Sequence, residues 1–382
     1  MILTAPCHFG LESVLKKEIT DLGYDVSRVE DGRVSFTGDE EAICLSNIHL
    51  RTAERILIEV GRFNAYTFDE LFEKTKALSW EDYIPKDGRF YVTKASSVRS
   101  KLFSPSDIQS IMKKAMVERL KSIYGISWFD EDGDNYPVRV FINKDEVSVM
   151  LDTTGESLHK RGYRKLTAKA PIAENLAAGL ISLTPWRDER ILVDPFCGSG
   201  TFLIEAAMMA ANMAPGMNRD FLSMKWKNIF KKGFWYPYFD EARENVDLNV
   251  KTSLFGSDID PEVVKVAKAN AHLAGVEKLI RFDTFPVKDL SSDKEYGFII
   301  TNPPYGERLE DKKDLPEIYS DLGKAYRGLP TWSMYVVSSY EDTEKYVGRK
   351  ADKNRKIYNG MLKTYFYMFN GPKPVRKKEG QK

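Results

Sequence analysis

The stretch Asp194-Pro195-Phe196-Cys197-Gly198-Ser199-Gly200-Thr201 follows the apolar run Ile191-Leu192-Val193 and precedes an apolar segment at residues 202–211. The run before it predicts a buried strand, and the segment after it predicts a helix that is apolar nearly all round and therefore buried. Two glycines let a loop take positive φ and approach a ligand closely. This order predicts an α/β sheet with a ligand site at the carboxyl end of the strand.

The glycine loop matches neither of the two common nucleotide-binding loops. A dinucleotide fingerprint needs a third glycine where this chain has Leu203, and a P-loop needs Gly-Lys-Ser/Thr. The carboxylate of Asp194, next to Gly198 and Gly200, suits an amino or cationic group. S-adenosylmethionine carries both an amino acid and a sulfonium, and we therefore predict it as the cofactor. A tight strand-to-helix turn without a ligand is the alternative interpretation.

The next predicted strand ends in two carboxylates, Asp258 and Asp260, separated by Ile259. An acid at such a strand end can hold both ribose hydroxyls of a nucleotide. Asp260 precedes Pro261 and is typical of a helix N-cap. We therefore assign Asp258 to the ribose, Asp260 to capping, and Ile259 to the adenine.

A second functional motif, Asn302-Pro303-Pro304-Tyr305, follows the apolar run Phe298-Ile299-Ile300. The amide oxygen of Asn302 and the carbonyl of Pro303 can each accept one N–H of an amino group on a planar base. Two prolines stiffen the loop, and Tyr305 offers a ring on which the base can stack. These four residues are the predicted catalytic group. A proline-rich turn that only ends the strand is the alternative.

A basic segment lies between the two halves of the chain and contains no acidic residue from position 158 to 172. It can be a solvated linker or a segment that contacts phosphates next to the active site, and its tyrosine favours the second interpretation. The candidate RNA-binding residues here are Lys160, Arg161, Tyr163, Arg164 and Lys165.

Composition sets broad limits on the class of protein. The 382 residues carry a net charge of +1, so nucleic-acid binding has to come from local patches. Three distant cysteines show neither metal spacing nor a disulfide framework. No run approaches the roughly 20 apolar residues of a membrane span, and the N-terminus lacks a signal-peptide pattern. We expect a cytoplasmic protein that uses neither a metal nor a membrane.

The chain divides into two parts by its pattern of strands and helices. Residues up to about 155 predict an α+β region without a catalytic cluster, which indicates a binding module. From about residue 171, strands alternate with helices, and Asn359-Gly360 between β-rich runs predicts a closing hairpin. The sequence therefore predicts a mainly parallel sheet that ends in an antiparallel hairpin.

Together these motifs resemble the class I S-adenosylmethionine-dependent methyltransferases that methylate amino groups. The whole chain is similar to the bacterial 23S ribosomal RNA guanine-N2-methyltransferases that carry a THUMP domain. The stretches that carry the resemblance are 47–53, 68–72, 158–164, 170–175, 194–201, 256–260 and 302–309. The resemblance implies a Rossmann-like, seven-stranded domain at residues 156–372. It is preceded by a ferredoxin-like domain at 1–60 and a THUMP domain at 61–155, and a basic tail occupies 373–382.

The resemblance also implies site residues and a substrate, namely 23S rRNA or a ribosomal precursor particle. The implied cofactor-binding set is Asp194, Pro195, Phe196, Gly198, Ser199, Gly200, Thr201, Asp258, Ile259 and Asp289. Relatives place an acid against adenine where this chain has Pro286, so Asp289 or Asp283 is the candidate. Arg308, after the tetrad, is a candidate phosphate contact or a plain surface residue.

Three other questions stay open at the level of sequence. The Asn-Pro-Pro-Tyr tetrad can grip adenine N6 as well as guanine N2, so a DNA or RNA adenine-N6 methyltransferase is an alternative. A non-catalytic RNA-binding protein is a second alternative for the function, and a protein-glutamine methyltransferase is a third and weaker one. An insertion at residues 212–250 mixes aromatic residues with lysines, which can bind single-stranded RNA or can pack the insertion onto the protein.

Overall fold

The computed structural model describes residues 1–164, 172–306 and 313–374. Lys165, Arg308 and most of the predicted basic tail lie outside these residues. The chain forms two compact units. The first comprises Met1–Cys7, Lys16–Leu158 and Asp220–Asp240, and the second comprises His8–Leu15, His159–Arg219 and Glu241–Lys382.

The first unit is built on an α+β sheet. Up to residue 152 the strands are β1 (Ile2–Pro6), β2 (Val26–Glu30), β3 (Arg33–Thr37), β4 (Leu57–Asn64), β5 (Arg89–Val98), β6 (Asn135–Asn143) and β7 (Glu146–Asp152). The helices are α1 (Glu12–Asp21), α2 (Glu40–His49), α3 (Phe68–Lys76) and α4 (Pro105–Tyr124). The strand order is β2-β3-β1-β4-β7-β6-β5, and only the β5–β6 pair is parallel within the described residues. Strands β6 and β7 form an antiparallel hairpin across residues 143–146.

The second unit contains a doubly covered, mainly parallel sheet. After residue 172 the helices are α5 (Glu174–Ser182), α6 (Thr201–Ala210), α7 (Tyr236–Glu244), α8 (Pro261–Leu273), α9 (Leu315–Arg327) and α10 (Thr343–Val347). The strands are β8 (Leu192–Asp194), β9 (Leu254–Asp258), β10 (Ile280–Thr284), β11 (Phe298–Thr301), β12 (Ser333–Ser338), β13 (Lys353–Asn359) and β14 (Leu362–Phe369).

The order of strands in this second sheet is β10-β9-β8-β11-β12-β14-β13. The pairs from β10 to β12 are parallel, whereas β14 pairs antiparallel with both β12 and β13. The sheet is therefore parallel up to β12 and ends in the hairpin that Asn359-Gly360 predicts. The order changes direction at β8, between β9 and β11, and such a switch point is where open α/β sheets bind ligands.

Close packing of α6 on the sheet depends on one glycine. A side chain at Gly256 in β9 would come within 2.6 Å of both Leu203 on α6 and Phe282 on β10. All residues of α6 from Thr201 to Met208 are buried, which confirms the predicted buried helix. The first turn of α6 is therefore held firmly at the carboxyl end of β8.

The aromatic insertion is packed inside the first unit. Trp226 is fully buried and stacks on Tyr136, with ring centroids 4.9 Å apart, and its indole N–H donates to the Asn135 carbonyl. Phe221 stacks on Phe239. For these buried rings of the insertion, packing is therefore the alternative that the structure supports, because they have no free face for a base. Tyr236 of the same insertion is 63% exposed.

No helix within the described ranges is both long enough and apolar enough to cross a membrane.

Candidate active site

Three predicted motifs meet at one edge of the second sheet. Strands β9, β8 and β11 are parallel neighbours, and they end at Asp258, Asp194 and Thr301. The glycine loop leaves β8, the second acid ends β9, and the tetrad follows β11. Because the carboxyl ends of parallel strands lie at the same edge, the cofactor loop and the predicted amino-group clamp are adjacent.

Asp194 is the most deeply buried acid of this edge, with 2% of its surface exposed. Its Oδ1 accepts hydrogen bonds from the Thr301 hydroxyl (2.6 Å) and the Phe196 amide (3.2 Å). Among the described residues both contacts fall on Oδ1, so Oδ2 is the oxygen left for a ligand. Burial raises the pKa of the carboxyl to about 7, although the two hydrogen bonds act in the opposite direction. A cationic amino group would stabilise the ionised form of this acid.

The two loop glycines serve different purposes. Both have positive φ, 53° at Gly198 and 84° at Gly200. A side chain at Gly200 would come within 3.2–3.3 Å of Phe282, Ala267 and Ile204, so this glycine is required by packing. A side chain at Gly198 would find only the Phe196 carbonyl, at 3.9 Å. The space beside Gly198 is therefore open for a ligand to approach the backbone.

The other predicted loop residues are partly or fully covered. Pro195 is buried and Phe196 is half-buried. Ser199 and Thr201 are each 4% exposed, and their hydroxyls lie 3.2 Å apart. Hydrogen bonding between these two hydroxyls stabilises the turn into α6, and any contact that they make to a cofactor stays a prediction.

Asp258 and Asp260 differ in the way that the sequence predicts. Asp260 is the N-cap of α8 and accepts from the Glu262 amide at 2.8 Å. Asp258 accepts from the Gly198 amide at 3.1 Å and from the Asp260 amide at 3.2 Å. Burial raises the pKa of Asp258 above its ordinary value. Asp258 thus joins the end of β9 to the glycine loop, while Ile259 is 73% exposed at the rim.

The candidate acids for adenine lie after β10. Asp289 ends a short 3-10 helix, Val287–Asp289, and is exposed. Asp283 is on β10 and pairs with Arg281 at 2.7 Å. Because Asp283 already has a cationic partner and Asp289 is exposed, Asp289 is the better candidate, and its role stays a prediction.

The tetrad contains an unsatisfied acceptor. The Asn302 side-chain oxygen is buried and has no hydrogen-bond partner among the described residues. A buried acceptor without a partner costs free energy of about 1–3 kcal/mol, which a ligand N–H can recover. Pro303 is buried and Pro304 exposed. The Asn302 oxygen therefore has the property that an amino-group clamp requires.

Tyr305 is less accessible than the sequence suggests. Its residue surface is 8% exposed, and its hydroxyl accepts a hydrogen bond from the Asn359 amide at 3.0 Å. In this arrangement the ring is covered on most of its surface. The predicted stacking of a base on Tyr305 therefore requires the ring to be uncovered when substrate binds.

The structure corrects the prediction for two residues of the basic segment. Arg161 forms an ion pair with Glu205 of α6 at 3.4 Å, and both side chains are at most 1% exposed. Tyr163 is 3% exposed and donates to the same carboxylate at 3.0 Å. These two side chains are internal and are not available to a phosphate, because α6 contributes a buried acid that neutralises the arginine.

The remaining residues of that segment are more accessible. Arg164 donates to Glu174 at 3.0 Å and to the Ile172 carbonyl at 2.8 Å, with 14% of its side chain exposed. Burial raises the pKa of Glu174 to about 7, against the lowering effect of Arg164. Lys160 is exposed. A phosphate contact from this segment thus stays a prediction for Lys160, whereas Arg164 is engaged in the fold.

Sequence reasoning missed four residues that position the site: Thr301, Asn270, Glu205 and Asn359. Asn270 is fully buried on α8 and donates to the Ser199 carbonyl at 3.1 Å, which holds the glycine loop. A polar residue on the apolar face of a predicted helix is the signal for Asn270 and Glu205. No local signal identifies the long-range partner of Thr301 or Asn359.

Comparison with known families agrees with this geometry. A family described as RMKL-like, methyltransferase domain, matches residues 161–367, which is more than half of the chain. The chain belongs to this family. The RlmL ferredoxin-like domain matches residues 2–57 and the THUMP domain matches residues 65–152. The suspected membership of the THUMP-containing class I methyltransferases, and the fold that it implies, are thereby confirmed.

Relatives of similar length extend the comparison. YpsC of Bacillus subtilis (strain 168), named a putative RNA methyltransferase, is 47% identical over 381 residues, which cover 99% of this chain and 98% of that protein. A predicted N6-adenine-specific DNA methylase from Listeria monocytogenes str. 4b F2365 is 45% identical, with a TM-score of 0.91, over 97% of this chain and 96% of that one.

SMU.472, a putative methyltransferase complexed with SAH, is 43% identical with a TM-score of 0.91, over 98% of this chain and 99% of that one. SAH is the compound that S-adenosylmethionine becomes after it gives up its methyl group. We predict S-adenosylmethionine as the cofactor from Asp194, the glycine loop and Asp258. The SAH bound to SMU.472 agrees with that prediction.

Proposed function

We propose that this protein uses S-adenosylmethionine to methylate an exocyclic amino group of a base in RNA, and that the group is guanine N2 of 23S rRNA in a ribosome or its precursor particle. The observation that carries the proposal is the side-chain oxygen of Asn302, which is buried and has no hydrogen-bond partner in the described part of the chain. It lies after β11, which is the parallel neighbour of the strand that ends at Asp194.

The chemistry follows from the properties of a base amine. Its lone pair is delocalised into the ring, so the nitrogen is a poor nucleophile. The Asn302 oxygen and the Pro303 carbonyl, each accepting one N–H, would draw the two hydrogens out of conjugation and aim the lone pair. Positioning and fixed acceptors of this kind supply much of the rate of such reactions.

The donor would be held by residues of the same edge. Asp194 would bind the amino group of the amino-acid part, the backbone at Gly198 would approach it closely, and Asp258 would bind the ribose. The cofactor supplies a methyl group on a sulfonium: the amine nitrogen forms a bond to that carbon as the sulfur–carbon bond breaks. The amine then loses one proton to water, so no strong base is required.

Two observations favour RNA as the substrate. The chain contains a THUMP domain, which the resemblance implies captures RNA, and its relative YpsC is named a putative RNA methyltransferase. The choice of guanine N2 is inferred from the resembling family. The target base has to leave its stack to reach a site at the sheet edge.

The test is mass spectrometry of ribosomal RNA nucleosides from a strain that lacks the gene. We expect one N2-methylguanosine to disappear from 23S rRNA and to return with the wild-type gene but not with the Asn302→Ala variant. An unchanged set of methylated nucleosides would contradict the proposal.

Methylation of adenine N6 in DNA is the second candidate, because the Listeria relative is named for that activity. The same strain separates the two candidates when genomic DNA is digested in parallel. Loss of N6-methyladenine from DNA, with rRNA unaltered, would replace the first proposal by the second.

A further inference from the structure

The hairpin formed by β13 and β14 has an unusual distribution of charge. From Lys353 to Lys373 the sequence contains no acidic residue, and the hairpin itself carries Lys353, Arg355, Lys356 and Lys363. Arg355 is used internally, since it donates to the Gly10 carbonyl at 2.5 Å. The other three side chains are exposed.

Two of these lysines form an ordered patch with two tyrosines. Lys356 pairs with Tyr365 across the strands, and Tyr358 pairs with Lys363, so all four lie on one face. Lys356 lies over the Tyr358 ring and Lys363 over the Tyr365 ring, each ammonium 5.1 Å from the ring centroid. We call these four residues the Lys-Tyr face.

Neither lysine of the Lys-Tyr face is paired with an acidic side chain in the part of the chain that the structure describes. The tyrosine rings hold the ammonium groups through their π faces without neutralising the charge. The opposite face of the hairpin is packed, since Ile357 and its partner Thr364 are both fully buried. Glu341 lies near enough to interact electrostatically with Lys363 without forming an ion pair. Two oriented cations that keep their charge on a rigid strand pair are suited to binding phosphates.

The tip of the same hairpin contacts the predicted catalytic tetrad. Asn359, the last residue of β13, donates its amide N–H to the Tyr305 hydroxyl at 3.0 Å. Beyond it, Met361 is 99% exposed at the turn. The hairpin therefore links an outward basic face to the residue on which the target base is predicted to stack.

We propose that the Lys-Tyr face binds phosphates of the RNA strand next to the target nucleotide, and that Asn359 is a positioning residue that couples this hairpin to Tyr305. This inference rests on the proposed RNA methylation and adds to it a second contact surface, within the catalytic unit itself.

The phosphate contact is tested with the full-length protein and a 23S rRNA transcript that it methylates. The Lys356→Gln/Lys363→Gln variant should raise KM for RNA at least tenfold, with kcat within twofold of wild type and an unaltered cofactor Kd. Loss of two phosphate contacts should also reduce the slope of log affinity against log salt by about 1.4. The matched control is the Lys268→Gln/Lys278→Gln variant. Both lysines are exposed, Lys268 on α8 and Lys278 in the Glu277–Leu279 turn. They lie next to β10, at the edge of the sheet opposite to the hairpin.

The two double variants have the same net charge, so a general electrostatic effect would alter both equally. An equal KM and salt slope in the two variants would overturn the inference while leaving RNA methylation intact. A wild-type enzyme that methylates DNA and not RNA would overturn both this inference and the proposed function.

The coupling is tested by a double-mutant cycle. Asn359→Ala and Tyr305→Phe each remove one partner of the hydrogen bond, so each should lower kcat about tenfold with KM little altered. The double variant should lose no more than the worse single variant. Asn359→Asp, which can accept from the tyrosine hydroxyl, should recover part of kcat. Multiplicative losses, or equal effects on kcat and KM, would show that Asn359 has no positioning role.

Discussion

The hydroxyl of Thr301 donates to Asp194 Oδ1 over 2.6 Å, and this bond joins the ends of two neighbouring strands. Thr301 immediately precedes the predicted catalytic tetrad, and Asp194 opens the predicted cofactor loop. The hydrogen bond is fully buried, so it fixes the acid and the tetrad relative to each other in surroundings where a lost bond is costly. The proposed donor site and the proposed acceptor clamp are therefore joined by a buried hydrogen bond.

Replacement of the buried acid tests the donor site. We expect Asp194→Asn to weaken S-adenosylmethionine binding about a hundredfold, which is about 2.7 kcal/mol, because a charged hydrogen bond to the amino group is lost. Isothermal titration calorimetry measures this effect. Asp293→Asn, an exposed acid in the loop before β11, is the control and should bind as wild type does.

The same variant makes a prediction about stability. The folded-state pKa of Asp194, about 7, is above its ordinary value of 3.8. Its contribution to stability is therefore present below about pH 4 and is lost as the pH rises through 7. Asp194→Asn should accordingly be at least as stable as wild type at pH 8. A large drop in Tm at that pH would show that the acid is needed for folding instead of binding.

Cofactor affinity should depend on pH in a defined direction. An ammonium group binds the ionised form of Asp194, and in the cofactor-free protein that form is populated only above about pH 7. We expect Kd for S-adenosylmethionine to fall by up to about tenfold per pH unit as the pH rises towards 7. It should not fall further near pH 8, where the α-amino group of the cofactor itself begins to lose its proton. The dependence should flatten in Asp194→Asn, apart from the contribution of Asp258, whose pKa burial also raises. A profile identical in the two proteins would refute the assignment.

Variants of Asp258, which ends β9, and of Asp260, which follows it, should affect cofactor binding and protein stability separately. Asp258→Ala is expected to weaken cofactor binding at least tenfold with a small change in Tm, since its carboxylate accepts from the Gly198 amide and is proposed to bind the ribose. Asp260→Ala removes the N-cap of α8 and should cost about 1 kcal/mol of stability with Kd within threefold. Calorimetry measures cofactor Kd and thermal unfolding measures Tm for both variants. If Asp260→Ala lost cofactor affinity and Asp258→Ala lost stability, the binding and capping roles would have to be exchanged.

The insertion offers a test of packing against RNA binding. Trp226 is fully buried and stacked on Tyr136, so Trp226→Ala should destabilise the protein by about 3–5 kcal/mol. Tyr236, 63% exposed in the same insertion, should tolerate the same truncation with little change in Tm. Denaturant unfolding measures both. A stable Trp226→Ala variant that loses RNA affinity would contradict the assignment to packing.

Much of the fold was predictable because its signals are local. The strand at Leu192–Asp194, the loop glycines and the buried α6 follow from apolar runs and glycine placement alone. The N-cap role of Asp260 followed from a proline at the next position, whereas the ribose role of Asp258 stays a prediction. The antiparallel hairpin followed from Asn359-Gly360.

The wrong prediction for Arg161 and the question left open for the insertion have a common physical cause. Arg161 is a surface cation in any local interpretation, and only Glu205, 44 residues further along, makes it an interior one. The rings of the insertion are equally suited to RNA or to a core until Tyr136 is known to lie against Trp226. Partners distant in sequence decide whether a polar or aromatic residue is buried, and a single sequence does not contain them.

The central claim is that Asn302 accepts a hydrogen bond from the amino group that is methylated. Single-turnover methyl transfer to the 23S rRNA transcript, with saturating S-adenosylmethionine, measures it most directly. The account predicts that Asn302→Ala lowers the rate at least a hundredfold with cofactor Kd within twofold, while Asn302→Asp retains more activity and the exposed control Asn249→Ala is unaffected. Transfer by Asn302→Ala at the wild-type rate would contradict the account.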